Sequence, residues 1–284
     1  MLQEIVTGCA SLGGPPELDA FRKHLPREWI EEALREVPNG EKGDRGDPLM
    51  KNQRLQSAKR IATGLAFVVF PFVFIFAFAI HPNLFSLAIV TDVSTRIGEF
   101  HGNRLMHLGH ALMLLTVPLL IVVSLKFMEI LTERGAWLGF IGCAMAVFGA
   151  VMLAVDKTAL CLVPSAFDTL PETQFRQMLP GLEAMFRFKG WLALLYLLPL
   201  LPVGFMIQGI GLYLGRAIPR WQSVSLIVAM VLLGVSAAID IDLFGLIASV
   251  ILAIALVPFG IQLIKGSNGE SRPQQCSTAI RSEP

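Results

Sequence analysis

Long apolar segments separated by short polar ones dominate the chain after Arg60. Each segment has about 20 residues, the length that an α-helix needs to cross a hydrocarbon core of about 30 Å. The predicted bounds are 61–80, 104–125, 136–155, 191–214, 221–239 and 243–264. This pattern predicts an all-α, polytopic membrane protein with a six-transmembrane-helix bundle over residues 51–265.

The first 50 residues follow a different pattern. Glu17 to Val37 carries apolar side chains near helical spacing, which predicts a short amphipathic helix, and PNGEKGDRGDP after it has the composition of a flexible linker. We therefore treat residues 1–50 as a polar N-terminal extension and linker. A further hypothesis is that the native reading frame begins at Met50, so that residues 1–49 do not belong to the membrane domain. The polar tail 266–284 is predicted to be disordered.

Basic residues in the predicted loops indicate the orientation of the bundle. Lysine and arginine are commoner on the side that carries both termini, so the N- and C-termini are predicted to be cytoplasmic. On the opposite side, residues 165–189 include Met178, Leu182 and Phe186 along one helical face. This segment is predicted to lie on the bilayer surface.

Composition agrees with a lipid environment and excludes several other classes. The chain is 54% hydrophobic and 16% charged, with a mean hydropathy of +0.62, whereas soluble domains are about a quarter charged. A net charge of +1 gives no reason to expect nucleic acid as a partner. The cysteines show neither a disulfide framework nor a zinc-ligand spacing: Cys9, Cys143, Cys161 and Cys276.

The predicted orientation places most ionisable residues of the helix ends on the outer side. They are His81, His107, His110, Asp156, Lys157 and Asp240. Charged groups within or beside a membrane are costly and usually face protein or water. The sequence therefore predicts a polar, outward-facing vestibule, in which no residue is assigned a catalytic role.

The histidines of the second helix have two interpretations. His107 and His110 share one helical stripe with Asn103, so they could share a metal ion or a carboxylate. The alternative is that they are interfacial histidines held by ordinary hydrogen bonds. A metal at His107 and His110 is therefore left open, and no cofactor is predicted.

The aspartates also have structural interpretations. Asp242 is predicted to cap the sixth helix. If the third helix continues to Pro164, Asp156 and Lys157 lie within it and project about 100° apart, so they are not expected to pair with each other. We then expect Asp156 to face His107 or His110. If the helix stops at Asp156, both residues are interfacial.

A short N-terminal stretch resembles a known family. FRKHLPREWIEEAL, within residues 17–37, resembles the N-terminal segment of the transposases of a bacterial insertion-sequence family. No soluble region large enough for a catalytic nuclease domain follows, so no transposase activity is inferred. The alternative is a solvated amphipathic helix of unrelated origin.

A second resemblance covers residues 60–265. IHPNLFSLAIVTDVSTRIGEFHGNRLMHLGHALMLLTVPLLIV resembles a group of six-helix bacterial membrane proteins of unknown function, in which the first helix ends in His-Pro and two histidines lie near the start of the second. His81-Pro82, His107 and His110 match that pattern. LGFIGCAMAVFGAVMLAVD matches the third helix of the group. The resemblance implies a six-helix bundle in the bacterial inner membrane and no assigned activity.

Three functional hypotheses follow. The leading one is a non-catalytic bundle that binds a lipid or small molecule or supports partners. A transporter or proton-coupled permease is the second, although the inner halves of the helices carry few ionisable residues. The third is a metal-dependent membrane hydrolase that uses the histidines and Asp156. Gly211-x-x-x-Gly215 is a candidate contact for a homo-oligomer.

Overall fold

Six helices form the membrane domain. The computed structural model describes residues 48–82, 84–87 and 92–266, which are helical and contain no β-strand. The helices long and apolar enough to cross a membrane are Asn52–Ala79, Arg104–Ile130, Ala136–Phe167, Gly190–Gly215, Arg220–Ile239 and Asp242–Lys265. They are called the first to sixth spans. The predicted six-helix membrane fold is confirmed, whereas the predicted N-terminal helix, linker and tail lie outside the described residues.

The chain divides into two units, Met1–Leu55 and Gln56–Pro284. In the first unit, the described residues are the opening turns of a helix that runs Pro48–Ala79 and contains Pro71. All other described elements belong to the second unit.

The second span is interrupted near its middle. Its two helices are Arg104–Leu115 and Val117–Ile130, which meet at Thr116. Pro118 causes the interruption because it has no backbone N–H with which to continue the helical ladder. The buried Thr116 hydroxyl donates to the Met113 carbonyl oxygen at 2.6 Å, so its own polar group is satisfied.

The third span is longer than predicted. Helix Ala136–Lys157 continues through a π-helical turn, Thr158–Leu162, into helix Val163–Phe167. A π turn inserts one extra residue and so rotates the side chains that follow it. Asp156 and Lys157 therefore lie within a continuous span.

The fourth span starts as a 3-10 helix, Gly190–Leu197, and continues as α-helix Leu200–Gly215. The fifth and sixth spans form the tight hairpin that their short connection predicts. Asp240 ends the fifth span in the left-handed region, with φ of 59°. The Ser236 hydroxyl donates to the Ile241 carbonyl oxygen at 2.9 Å and holds the turn.

Two shorter helices lie between the spans. Val93–Phe100 is called the linker helix, and its N-cap Asp92 accepts a hydrogen bond from the Thr95 backbone N–H at 3.1 Å. Glu172–Phe186 is called the amphipathic helix. Its apolar face was predicted to lie on the bilayer, but it packs on protein instead. The shared core consists of Ile97, Leu160, Cys161, Phe175, Leu182, Phe186 and Leu195.

Contacts between aromatic rings join three of the spans in the main core. Phe67 of the first span packs edge-on against Phe127 of the second, with ring centroids 5.2 Å apart, and Phe127 contacts Phe205 of the fourth. Fully buried Gln208 accepts from the Ser124 hydroxyl at 3.2 Å and donates to the Ser124 carbonyl oxygen at 2.9 Å. These bonds satisfy a polar group in the core and lock the second span to the fourth.

Glycines bring the third and fourth spans into backbone contact. A Cβ at Gly149 would lie 2.1 Å from the Leu201 backbone nitrogen, and one at Gly204 would lie 2.3 Å from the Ala146 nitrogen. Gly211, half of the predicted oligomer motif, faces Leu131 and a Cβ there would lie 3.2 Å from its Cδ1. Gly211 therefore packs against another segment of the same chain.

Gly149→Ala is expected to destabilise the bundle, because the added methyl group meets backbone atoms that cannot rotate away. Overpacking of this kind costs about 1–3 kcal/mol, so the melting temperature of the purified protein should fall by several degrees. Gly181→Ala is the matched control, since a Cβ at Gly181 meets nothing within 4 Å. Equal melting temperatures for both variants would contradict the close approach.

Candidate functional site

One end of the bundle carries the histidine and aspartate side chains that border the spans. Because successive spans run in opposite directions, this end contains the end of the first span, the start of the second span, the end of the third span and the hairpin between the fifth and sixth spans. The contacts among the residues predicted for the vestibule form separate groups, one around the three histidines, one of Asp156 with Lys157 and one of Asp240 with Arg96. We call this region the polar end. It comprises His81, His107, His110, Asp156, Lys157 and Asp240, with the neighbours described here.

His81 joins the first span to the sixth. Its Nδ1 lies 2.9 Å from Oδ2 of Asp242, and because a carboxylate only accepts, the ring nitrogen donates. Asp242 was predicted to cap the sixth helix. Instead it is the first helical residue, and the N-cap Ile241 makes no side-chain capping bond. Its charge still lies at the positive end of the helix dipole.

Asp240 has a partner that the sequence did not identify. Its carboxylate accepts a hydrogen bond from the Arg96 guanidinium of the linker helix. This ion pair compensates the negative charge of Asp240, which lies at the carboxyl end of the fifth span. Nearby, burial together with the charges of Asp240 and Asp242 raises the pKa of the Glu99 carboxyl group above its ordinary value.

Asp168 is held by two histidines just after the third span. His107 Nε2 and His101 Nδ1 each lie 2.8 Å from one of its oxygens, and the Gly102 backbone N–H donates at 3.0 Å. Burial alone would raise the pKa of Asp168, but the hydrogen bonds outweigh it and the pKa is lowered. The bonds tie the start of the second span to the end of the third.

Asp156 and Lys157 form an ion pair, which corrects the expectation that neighbouring residues on a helix cannot pair. Lys157 Nζ lies 2.9 Å from Asp156 Oδ2. The four methylene groups of lysine let its ammonium group bend back around the helix, although the two Cα–Cβ bonds diverge. The carboxylate that binds His107 is Asp168 rather than Asp156.

His110 is the exception at the polar end. It is 5% exposed, and neither ring nitrogen has a hydrogen-bond partner among the described residues. Its ring stacks on Phe100 with centroids 5.3 Å apart and meets the ring of His81 edge-on at the same distance. The Lys157 ammonium lies within electrostatic range. A buried imidazole without partners is costly, so this side chain calls for an explanation.

A metal site is not assembled from the described side chains. No group of three or more histidine, cysteine, aspartate or glutamate residues among them is placed to hold a metal ion. His107 is engaged by Asp168, and His110 has aromatic neighbours on two sides. In the described part of the chain, these two histidines contact a carboxylate and aromatic rings.

Four contributors to the polar end were missed from sequence: Arg96, Glu99, His101 and Asp168. The signal for the first two was the amphipathic stretch VSTRIGEF behind the capping residue Asp92, which forms a helix, and His101 follows that helix directly. For Asp168, the signal was a carboxylate directly beyond the last apolar residue of the third span. All four lie in segments that the hydropathy pattern treats as loops.

Comparison with known proteins gives no relative: no family model, no curated protein and no solved structure matches the chain. The candidate site is therefore interpreted from its own geometry.

Asp168→Asn is expected to lower the melting temperature at pH 7, because hydrogen bonds to a charged acceptor contribute about 1.5–3 kcal/mol each. A group with a lowered pKa stabilises the fold above its unfolded pKa and loses that contribution as pH falls through its folded pKa. The gap between wild type and variant should persist to pH 5 and shrink only below the ordinary value of 3.8.

Glu172→Gln is the control for this measurement. Glu172 is 60% exposed and its close partner is Arg176, one turn along the same helix. Exposed pairs of this kind contribute less than about 1 kcal/mol, so its melting curve should stay near wild type. A gap for Asp168→Asn that is no larger than that of Glu172→Gln would refute the structural role of the Asp168 bonds.

Proposed function

We propose that this chain is a multi-pass protein of the bacterial inner membrane that binds a small amine-bearing molecule or lipid head group at its polar end, without catalysing a reaction. The observation that carries the proposal is His110, which is buried with neither ring nitrogen bonded in the described residues. A neutral imidazole offers one donor and one acceptor. A ligand with an ammonium group as donor and a hydroxyl or phosphate oxygen as acceptor would use both and recover the cost of burying them.

The carboxylates of the polar end, taken together, favour a cationic ligand, although the charge that acts most strongly on His110 itself is the Lys157 ammonium. Three carboxylates face two lysine or arginine partners, namely Asp156, Asp240 and Asp242 against Lys157 and Arg96, since the partner of Asp242 is His81. Burial, and after it the charges of Asp240 and Asp242, raise the pKa of the nearby Glu99 carboxyl group. An ammonium group would relieve this repulsion and donate hydrogen bonds to carboxylates and to the imidazole.

The rest of the bundle supports binding over transport. Most of the largest fully buried side chains beyond the polar end are apolar, and they include Phe67, Phe127, Phe205 and Leu212. Gln208, the buried amide among them, is bonded to the second span. An ion crossing this layer would lose hydration without replacement ligands in the described residues.

Ethanolamine tests the proposal in protein reconstituted into phosphatidylcholine nanodiscs. Ethanolamine in solution, or phosphatidylethanolamine in the bilayer, should raise the melting temperature of the wild type by several degrees, since a ligand at 100 times its Kd stabilises by about 2.7 kcal/mol. A response to the lipid alone identifies a head group, and a response to both identifies the free amine as sufficient. His110→Phe should respond to neither. No wild-type response in either arm would overturn the proposal.

His110→Phe also has a predicted effect in the absence of any amine. It keeps the stack on Phe100 and removes two unbonded buried nitrogens, each costing about 1–3 kcal/mol, so the melting temperature should rise. His101→Phe is the matched variant with the opposite expectation, because it loses the bond to Asp168. A fall for His110→Phe as large as that for His101→Phe would mean that His110 is structurally bonded.

The orientation is tested by cysteine labelling in a Cys9→Ser, Cys276→Ser background, in which the remaining Cys143 and Cys161 are buried. Gln177→Cys lies on the amphipathic helix, and Glu129→Cys lies at the far end of the second span. With cytoplasmic termini, a membrane-impermeant maleimide should label Gln177→Cys in intact spheroplasts and Glu129→Cys only after permeabilisation. The reverse pattern would overturn the orientation.

A further inference from the structure

A second site candidate lies at the end of the bundle opposite to the polar end. It is a cavity of about 510 Å³ between the connection of the second and third spans and the connection of the fourth and fifth. Its lining consists of Thr132, Glu133, Tyr213, Leu214, Gly215, Arg216 and Arg220. None of these residues takes part in the contacts of the polar end.

The short connection of the fourth and fifth spans brings two arginines to this cavity. Arg216 ends the fourth span in the left-handed region with φ of 52°, and Arg220 is the first residue of the fifth span. Between them, the side chain of Ile218 is buried and anchors the connection. The Arg220 guanidinium lies 5.5 Å from the centre of the Tyr213 ring, a cation–π contact that restrains it.

The charge of the lining suits a monoanion. In the part of the chain that the structure describes, neither Arg216 nor Arg220 forms an ion pair with a carboxylate. Two arginines and one glutamate give the lining a net charge of +2 − 1 = +1. Guanidinium groups match phosphate oxygens in a two-pronged geometry, and the hydroxyls of Thr132 and Tyr213 are further donors.

The depth of the cavity favours a lipid as the source of that anion. Trp221, next to Arg220, is 50% exposed, and Trp137 at the start of the third span is 76% exposed. Exposed tryptophans mark the interface between hydrocarbon and water, where phospholipid phosphates lie. Leu214, 57% exposed, adds an apolar side to the lining, along which an acyl chain would leave.

We infer that this cavity binds the phosphodiester of an anionic phospholipid, with Arg216 and Arg220 contacting the phosphate. The shared chemistry is a phosphate monoanion, which a free phosphate in the aqueous phase could also supply. This inference is independent of the proposed function, because the residues, the end of the bundle and the sign of the ligand charge all differ.

Native mass spectrometry of the protein tests the inference after reconstitution with equal amounts of phosphatidylglycerol and phosphatidylcholine. The wild type should retain phosphatidylglycerol in preference. An Arg216→Gln, Arg220→Gln double variant should bind phosphatidylglycerol about 100-fold more weakly, since each of the two lost guanidinium–phosphate bonds accounts for a factor of about ten. Arg187→Gln, an exposed arginine beside the polar end, is the control and should match the wild type.

Three further arms keep the result decisive. The Arg216→Lys, Arg220→Lys variant keeps the charge and should retain an intermediate amount of phosphatidylglycerol, which separates two-pronged recognition from simple attraction. A melting curve for each variant shows that loss of lipid is not loss of fold. In a third arm, inorganic phosphate is added to the wild type in phosphatidylcholine nanodiscs. If phosphate raises the melting temperature and phosphatidylglycerol is not selectively retained, the lipid assignment is overturned. Equal retention of both lipids by the wild type, with no effect of phosphate, would overturn the site.

Discussion

The cost of placing a charge in hydrocarbon organises this protein. Ionisable side chains that border the bilayer must be paired or reach water, and at the polar end the pairing takes place between segments far apart in sequence. His81 binds Asp242 across the first and sixth spans, Arg96 binds Asp240, and His107 binds Asp168. The same bonds that satisfy these groups therefore fix which helix ends are neighbours. Breaking the His81–Asp242 or the His107–Asp168 bond leaves a part-buried carboxylate without that donor, whereas the Arg96–Asp240 pair is exposed and costs less to break.

Away from that end, the bundle is held by shape. Lipid tails are as apolar as leucine, so membrane helices gain little from hiding hydrophobic surface and depend on close packing instead. The backbone approach of the third and fourth spans at Gly149 and Gly204 supplies such packing. The Gln208–Ser124 bonds make the arrangement of the second and fourth spans specific, because an amide in an apolar interior has few alternative partners. Because the middle of the bundle is tightly packed, both candidate sites lie at its ends.

Hydropathy was sufficient to predict the number of spans and the gathering of His81, His107 and His110 at one end, since both follow from chain direction and membrane thickness. The partners were not predictable in the same way. Asp168 and Arg96 lie in segments read as loops, and their positions depend on a linker helix of eight residues and an amphipathic helix that pack on each other. The Asp156–Lys157 pair was not predicted because the prediction considered only the directions of the two Cα–Cβ bonds, which diverge, and not the length of the lysine side chain. Lysine reaches well beyond that direction.

His110 shows how stability and function separate at the polar end. A chain selected for stability alone would place an apolar ring there, since the site already provides the face of Phe100 and the edge of His81. Retaining two unbonded nitrogens in that setting reduces the free energy of unfolding, and proteins keep such groups where a ligand or partner uses them. Under the proposed function, the carboxylates nearby act in the same direction, because a bound cation would reduce the repulsion among them. The unbonded imidazole and these carboxylates are therefore the two features on which the proposal of a binding site rests.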